Sequence, residues 1–320
     1  MRPGRLKFIK PAILILLLIV GVLIPFVIES TFIVHLLILS FVWAMMAGGY
    51  NLLMGYTGLL SLGHAAFYAI GAYTSVILVK NLGIPWPLGM ICAGVTAGII
   101  AFLMGFLVLR LRGVYFAMVT FGFAEIIRLI IENWESMTGG VYGIIKVPPM
   151  FADVRFTYVF VMLLMVLVYF ILYRIIHSHI GRAFIAIRED EDVAKSVGIN
   201  VARYKTLSFV ISAFIAGIAG SVMAHYFRYV YPDWAHFLKS ADLLVYTVVG
   251  GSGSFIGPGL AATFFVLLPE FSRTIGHYQI LIYGVILVLV IIFIPQGLEP
   301  IFRSLYNGLR NRIKRGRQAR

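Results

Sequence analysis

His177–Thr206 reads HSHIGRAFIAIREDEDVAKSVGINVARYKT, the longest polar interval between two strongly apolar runs, Phe156–Ile176 and Leu207–Phe227. Ile180, Phe184 and Ile187 recur at helical spacing, and Ala194 and Val197 resume it after the charged Arg188–Asp192. That periodicity predicts one or two short amphipathic helices. Asp190 is placed to cap the second, and Gly198 to leave it through a left-handed turn. The interval is expected to form a helical knob at a membrane surface for another protein to grip. The alternative is an ordinary solvated loop.

The flanking runs set the class. The chain is 61% hydrophobic and 12% charged, against roughly 25% charged in soluble proteins. Runs of about 20 apolar residues cross a hydrocarbon core about 30 Å thick at about 1.5 Å per residue. They are continuous rather than alternating, which excludes a transmembrane β-barrel. The expected fold is an all-α polytopic membrane protein. No loop approaches the roughly 50 residues that a soluble domain needs, so any soluble activity has to come from other chains.

In chain order the expected spans are Pro11–Ile28, Phe32–Met54, His64–Val79, Trp86–Leu109, Val114–Ile131, Phe156–Ile176, Leu207–Phe227, Leu243–Phe255, Ile256–Phe271 and Ile280–Ile294. That makes about ten transmembrane helices, or about eight if the two glycine-rich stretches are re-entrant. The net charge of +13 would suit nucleic acid in a soluble protein. Here it lies between apolar runs and at the ends, so it reads as topology, and no nucleic-acid partner is expected. Residues 1–10, Arg110 with Arg112, the interval 177–206 and the tail 297–320 are all basic. The positive-inside rule puts them, and hence both termini, in the cytoplasm. The interval then joins the sixth and seventh spans. The expected organisation is a basic N-terminus (1–10), one transmembrane domain (11–296) containing the loop 177–206, and a basic tail (297–320). Pro25 and Glu29 end a first run long enough to span, with no small-residue cleavage site, so it reads as an uncleaved helix. The single cysteine, Cys92, allows neither a disulfide framework nor a cysteine metal site.

Gly55, Gly58 and Gly63 break one segment at membrane depth; Gly250, Gly251, Gly253, Gly257 and Gly259 with Pro258 break another. Backbone freed in this way is tolerated only where protein or a water-filled cavity satisfies it. Two readings stand: a pathway wall with helix ends facing solute, or close helix contact through small residues, the reading favoured for Gly94–Gly98. The second stretch has no lysine to reach a phosphate, so it is no nucleotide loop. If ATP is used, another chain binds it. Glu125 sits midway along its span, where an acid costs about 3 kcal/mol to insert. Arg128, at i+3, can partly neutralise it. The pair is either structural or lines the pathway. His64, beside broken backbone, is expected to hydrogen-bond a neighbouring carbonyl. His35 and His225 have no metal-ligand spacing. No catalytic residues and no metal set stand out.

Asn51-Leu-Leu-Met-Gly-Tyr-Thr-Gly-Leu-Leu-Ser-Leu-Gly-His64, continuing to Tyr73, resembles the signature of the LivM-type permeases of ABC importers for branched-chain amino acids. The resemblance continues in Thr120-Phe-Gly-Phe-Ala-Glu-Ile-Ile-Arg128, Asn133-Trp134 and Thr138-Gly139-Gly140. It resumes in Ala186-Ile-Arg-Glu-Asp-Glu-Asp192 through Gly198-Ile-Asn200, in Val249-Gly-Gly-Ser-Gly253 and in Pro295-Gln-Gly-Leu298. It implies a heteromeric importer in a prokaryotic inner membrane, surrounded by lipid. The implied partners are a LivH-like second permease, two cytoplasmic ATP-binding subunits that hold ATP and magnesium, and an extracytoplasmic solute-binding protein. This chain itself would carry no cofactor and would not be an enzyme.

The resemblance also implies a coupling helix within Arg182–Gly198. The family's Glu-Ala-Ala-x-x-x-Gly pattern is degenerate here, as Asp192-Val193-Ala194 with Gly198. The residues expected to couple the chain to the ATPase are Arg182, Ile187, Arg188, Glu189, Asp190, Glu191, Asp192, Ala194 and Gly198. Those expected near the translocation pathway are Asn51, Tyr56, Ser61, His64, Thr120 and Glu125. Family substrates are leucine, isoleucine and valine, with urea, short amides and other amino acids among relatives. A stand-alone secondary transporter using Glu125, or an intramembrane enzyme using Glu125 and His64, would leave the patterned loop without a purpose.

Overall fold

The computed structural model describes residues 19–27, 30–108, 111, 113–271 and 284. Six of its helices are long and apolar enough to cross a membrane. The first is α1 (Thr31–Asn51), extended by one π-helical turn, Leu52–Tyr56. Then come α2 (His64–Leu82), α3 (Trp86–Val108) and α4 (Val114–Asn133). A one-turn helix α5 (Glu135–Thr138) leads to a two-residue strand β1 (Ile144–Ile145) and to the fifth span, α6 (Val154–Ile176). Two short helices follow, α7 (His179–Glu189) and α8 (Glu191–Ser196). The sixth span is α9 (Val201–Phe227). Strand β2 (Tyr229–Val230), a 3-10 turn at Pro232–Ala235, and the shorter helices α10 (Phe237–Gly250) and α11 (Gly257–Phe271) complete the described chain.

The expected span Ile280–Ile294 (but for residue 284), both basic termini and the Arg110/Arg112 pair lie outside the described residues, while the second half of Pro11–Ile28, residues 19–27, is described and helical. Where spans are described, the boundaries shift for local reasons. Helix α9 starts at Val201 rather than Leu207 because Asn200 caps it, its Oδ1 accepting from the Arg203 amide at 3.1 Å. Helix α10 runs from Phe237 to Gly250 rather than from Leu243 to Phe255. Gly251 (φ +99°) and Gly253 (φ +83°) take conformations that a helix cannot continue through.

Helix α9 is the axis of the core, packed against α1, α2 and α3. It approaches them through small residues, which is how helices associate where lipid offers no hydrophobic drive. Gly217 faces the Ala93 carbonyl, and a Cβ there would come within 2.7 Å of Ala97 Cβ. Gly220 lies against the Tyr68 carbonyl and Gly71 against Gly217. A Cβ on Gly94 would strike the Phe214 ring at 2.8 Å, so this glycine serves packing as expected.

Strand β1 pairs antiparallel with β2, Ile144 opposite Val230, tying the α4–α6 connection to the exit of α9 at one end of the bundle. The Pro232–Ala235 turn then dips back against α2, with the Trp234 ring 5.3 Å from Tyr68. The α7–α8 pair lies at the opposite end.

Candidate functional site

The α7–α8 hairpin is built by its caps. Ser178 Oγ accepts from the Ile180 amide at 3.1 Å to start α7. Asp190 Oδ1 accepts from the Asp192 and Val193 amides at 2.8 and 3.0 Å to start α8. Helix α8 ends in a Schellman turn: Ile199 N donates to Ala194 O and Gly198 N to Lys195 O, both at 3.0 Å. Gly198 takes φ +86°, which glycine adopts without a Cβ clash. Phe184 and Ile187 are buried, and Ile187, Ala194 and Val201 form a small cluster that folds the pair onto the start of α9. Val197 does not share that face. It is the residue at which α8 ends, and it is 70% exposed.

A buried ion pair fixes the hairpin further. Lys205, only 1% exposed, donates to Glu191. Arg182, Glu189, Asp190 and Asp192 are exposed on the outer side, where a partner can reach them. Arg188 is exposed too, but its guanidinium turns inward: Nη1 donates to the Gly55 carbonyl at 2.5 Å.

That bond ends on a junction that sequence reasoning did not assemble. The two glycine-rich breaks touch each other. Asn51, 2% exposed, donates through Nδ2 to Ser254 O at 2.7 Å and accepts at Oδ1 from Gly253 N at 3.0 Å. Gly55 has room for no side chain, since a Cβ would overlap Asn51 Oδ1 and the Gly253 amide. The π-helical turn at Leu52–Tyr56 lies in the same place, a distortion that recurs at functional sites.

Beyond the π turn the chain leaves the helix until His64, and protein satisfies its backbone. Tyr50 Oη donates to Ser61 O at 2.8 Å, and the Leu62 amide donates to Thr120 Oγ1 at 3.0 Å. The first turn of α2 is capped from another element, Ala65 N donating to Ser240 Oγ at 2.8 Å. His64 is fully buried and bonds Ser212 on α9, its Nε2 3.2 Å from the Oγ, with the Ser212 backbone also within bonding reach of the ring. The Ser212 hydroxyl hydrogen goes to Gly49 O at 2.7 Å, which makes His64 Nε2–H the donor. A hydroxyl on α9 therefore links the histidine to the Gly49 carbonyl. Nδ1 is left without a partner among the described residues.

Of the residues expected near a pathway, Asn51, Tyr56, Ser61, His64 and Thr120 come together around the first break, all buried. Glu125 does not join them. It lies on α4, 24% exposed, with Oε2 accepting from Arg128 Nε at 2.9 Å, and Arg128 also pairs with Glu132. The i+3 pairing is as expected; the extension to Glu132, at i+4, was not foreseen although the spacing carries it.

Most of the chain matches known proteins. The model of the family described as "branched-chain amino acid transport system / permease component" matches residues 32–295. The chain is 36% identical to the high-affinity branched-chain amino acid transport system permease protein LivM of Escherichia coli K12, over 98% of this chain and 82% of that protein. It is 35% identical to the LivM of Salmonella typhimurium LT2, over 93% of this chain and 79% of that one. It is also 25% identical to the permease protein LivH of Escherichia coli K12, over 80% of this chain and 90% of that protein. No solved structure gives a significant match. Matched over most of its length and through both glycine breaks and the hairpin, the chain belongs to the permease-component family of branched-chain amino acid transport systems.

Proposed function

We propose that this protein is the LivM-type permease subunit of an ABC importer that carries branched-chain amino acids across a prokaryotic inner membrane. The identity to LivM along nearly the whole chain supports the transport role. The parallel likeness to LivH supports a LivH-like permease as the second membrane subunit. Two cytoplasmic ATP-binding subunits and an extracytoplasmic binding protein complete the assembly, and the ATPases bind the ATP and magnesium.

The observation that carries the mechanism is the capped, ion-paired hairpin α7–α8 with its exposed polar face. A loop with no partner would not need two caps, a Schellman turn and a buried Lys205–Glu191 pair to hold its shape. ATP binding closes the ATPases on this hairpin and biases the bundle between outward- and inward-open arrangements. Such a bias is only as large as the difference in affinity for the two states. Asn51, Tyr56, Ser61, His64 and Thr120 form the closed wall of the pathway in the present arrangement, and Glu125 with Arg128 lies beside it on α4.

The test is uptake of radiolabelled leucine into proteoliposomes holding this chain with its LivH-like partner, ATPases and binding protein. Uptake should require ATP and the binding protein. Transport by this chain alone, indifferent to ATP, would overturn the reading; import of a different small solute under the same requirements would change only the substrate.

A further inference from the structure

Arg188 joins two things that nothing else described so far connects directly, the partner-facing hairpin and the paired glycine breaks. Its stem runs along Gly58, where a Cβ would stand 3.4 Å from Arg188 Cγ. Its Nη1 donates to Gly55 O, and a Cβ on Gly253 would come within 2.6 Å of that nitrogen. Both breaks are therefore side-chain-free where the guanidinium enters.

The electrostatics explain why an arginine stands there. The helix formed by α1 and its π turn ends at Tyr56, and α10 ends at Gly250. Carbonyls in a helix's last turn lack intrahelical donors, and the macrodipole places partial negative charge there. Asn51 brings these two C-terminal ends together by bridging to Gly253 and Ser254. The end of α10 at Gly250 packs on the start of α11 at Gly257, so the guanidinium chiefly offsets the partial negative charge at the Gly55 carbonyl.

We infer that Arg188 is the positioning residue that holds the two glycine breaks closed on each other and releases them when the hairpin is drawn away. This rests on the reading of the hairpin as the ATPase contact. It adds the step by which a movement of α7 reaches membrane depth: withdrawal of the guanidinium leaves Gly55 O without its donor and frees the contact with Gly253, so the junction separates at Asn51. The hairpin's other anchors, Lys205–Glu191 and the Ile187 cluster, tie it to α9, which runs unbroken.

The experiment uses the complete importer in proteoliposomes and measures ATP hydrolysed per leucine imported for Arg188→Ala, Arg188→Lys and Gly253→Ala. Arg188→Ala should raise that ratio at least tenfold. Arg188→Lys, which keeps a cation able to cap Gly55 O, should stay within about threefold of the parent. Gly253→Ala, which leaves Arg188 but presses a methyl on Nη1 and strains the backbone at φ +83°, should uncouple like Arg188→Ala. A ratio within twofold of the parent for Arg188→Ala overturns the proposal. So do hydrolysis and uptake falling in proportion, which would make Arg188 part of the docking face only, and so does a lysine variant as uncoupled as alanine. Should Arg188→Ala fail to assemble, the lysine and Gly253→Ala arms decide by the same ratios. A separate arm, Val193→Asp with Val197→Asp on the exposed side of α8, checks the underlying reading. If that importer still assembles with its ATPases and transports, the hairpin is not their contact, whatever Arg188 does.

Discussion

Lys205 is an ammonium group 1% exposed at the polar start of α9, and its partner is the carboxylate of Glu191. A buried charge is tolerated only when paired, and deleting one partner leaves the other stranded. Glu191→Ala should therefore destabilise the permease by about 3 kcal/mol, read as a lowered unfolding midpoint in detergent. Lys205→Met alone removes the stranded charge, so the double variant Glu191→Ala/Lys205→Met should be more stable than Glu191→Ala. A double variant as unstable as the sum of the two singles would show that the pair does not interact. Neither residue was identifiable as a buried pair from the chain alone. Lys205 lies at the polar start of α9, where it reads as one more topogenic cation; only the fold-back of α8 onto α9 puts it under Glu191.

Elements follow the same division between local and distant causes. The hairpin was legible in outline because its determinants are local: a cap three residues from the amide it satisfies, a glycine at the helix exit, and apolar residues at helical spacing. Asp190→Ala removes the acceptor for two amides and should cost about 1 kcal/mol. Gly198→Ala places a Cβ at φ +86° and should cost about 1–2 kcal/mol. Both changes should lower leucine uptake more than they lower the amount of permease in the membrane; equal losses in the two would mean that the hairpin matters only for folding. The glycine junction was not legible, because Asn51 and Ser254 are far apart in the chain and no residue pattern announces a π turn. Each break was visible separately as glycine-rich backbone at membrane depth. That they satisfy one another is a property of how α1 and α10 end side by side. His64 shows the same limit on a smaller scale: its need for a partner was readable, while its use of Ser212 on α9 depended on the packing of α2 against α9.

At the scale of the whole molecule, the described spans require that the hairpin and the β1–β2 end face opposite sides of the membrane. Helix α6, which separates them, has 23 residues, about 35 Å at about 1.5 Å per residue, enough to cross. Which side is which follows from the positive-inside rule. Arg174, Arg182, Arg188, Lys195, Arg203 and Lys205 lie at or around the hairpin. The opposite end carries five described basic residues, Lys80, Lys146, Arg155, Arg228 and Lys239, beside Glu132, Glu135, Asp153 and Asp233, so the excess on the hairpin side is small among the described residues. The prediction is that the hairpin faces the cytoplasm. With Cys92 replaced by serine, Asp192→Cys should react with a membrane-impermeant maleimide only after the membrane is opened. Tyr142→Cys, 87% exposed beside β1, should react in intact spheroplasts. The reverse pattern would turn the molecule over and place the hairpin where no cytoplasmic ATPase could reach it. Labelling of both from one side would mean that α6 does not cross, since no other span lies between the two positions.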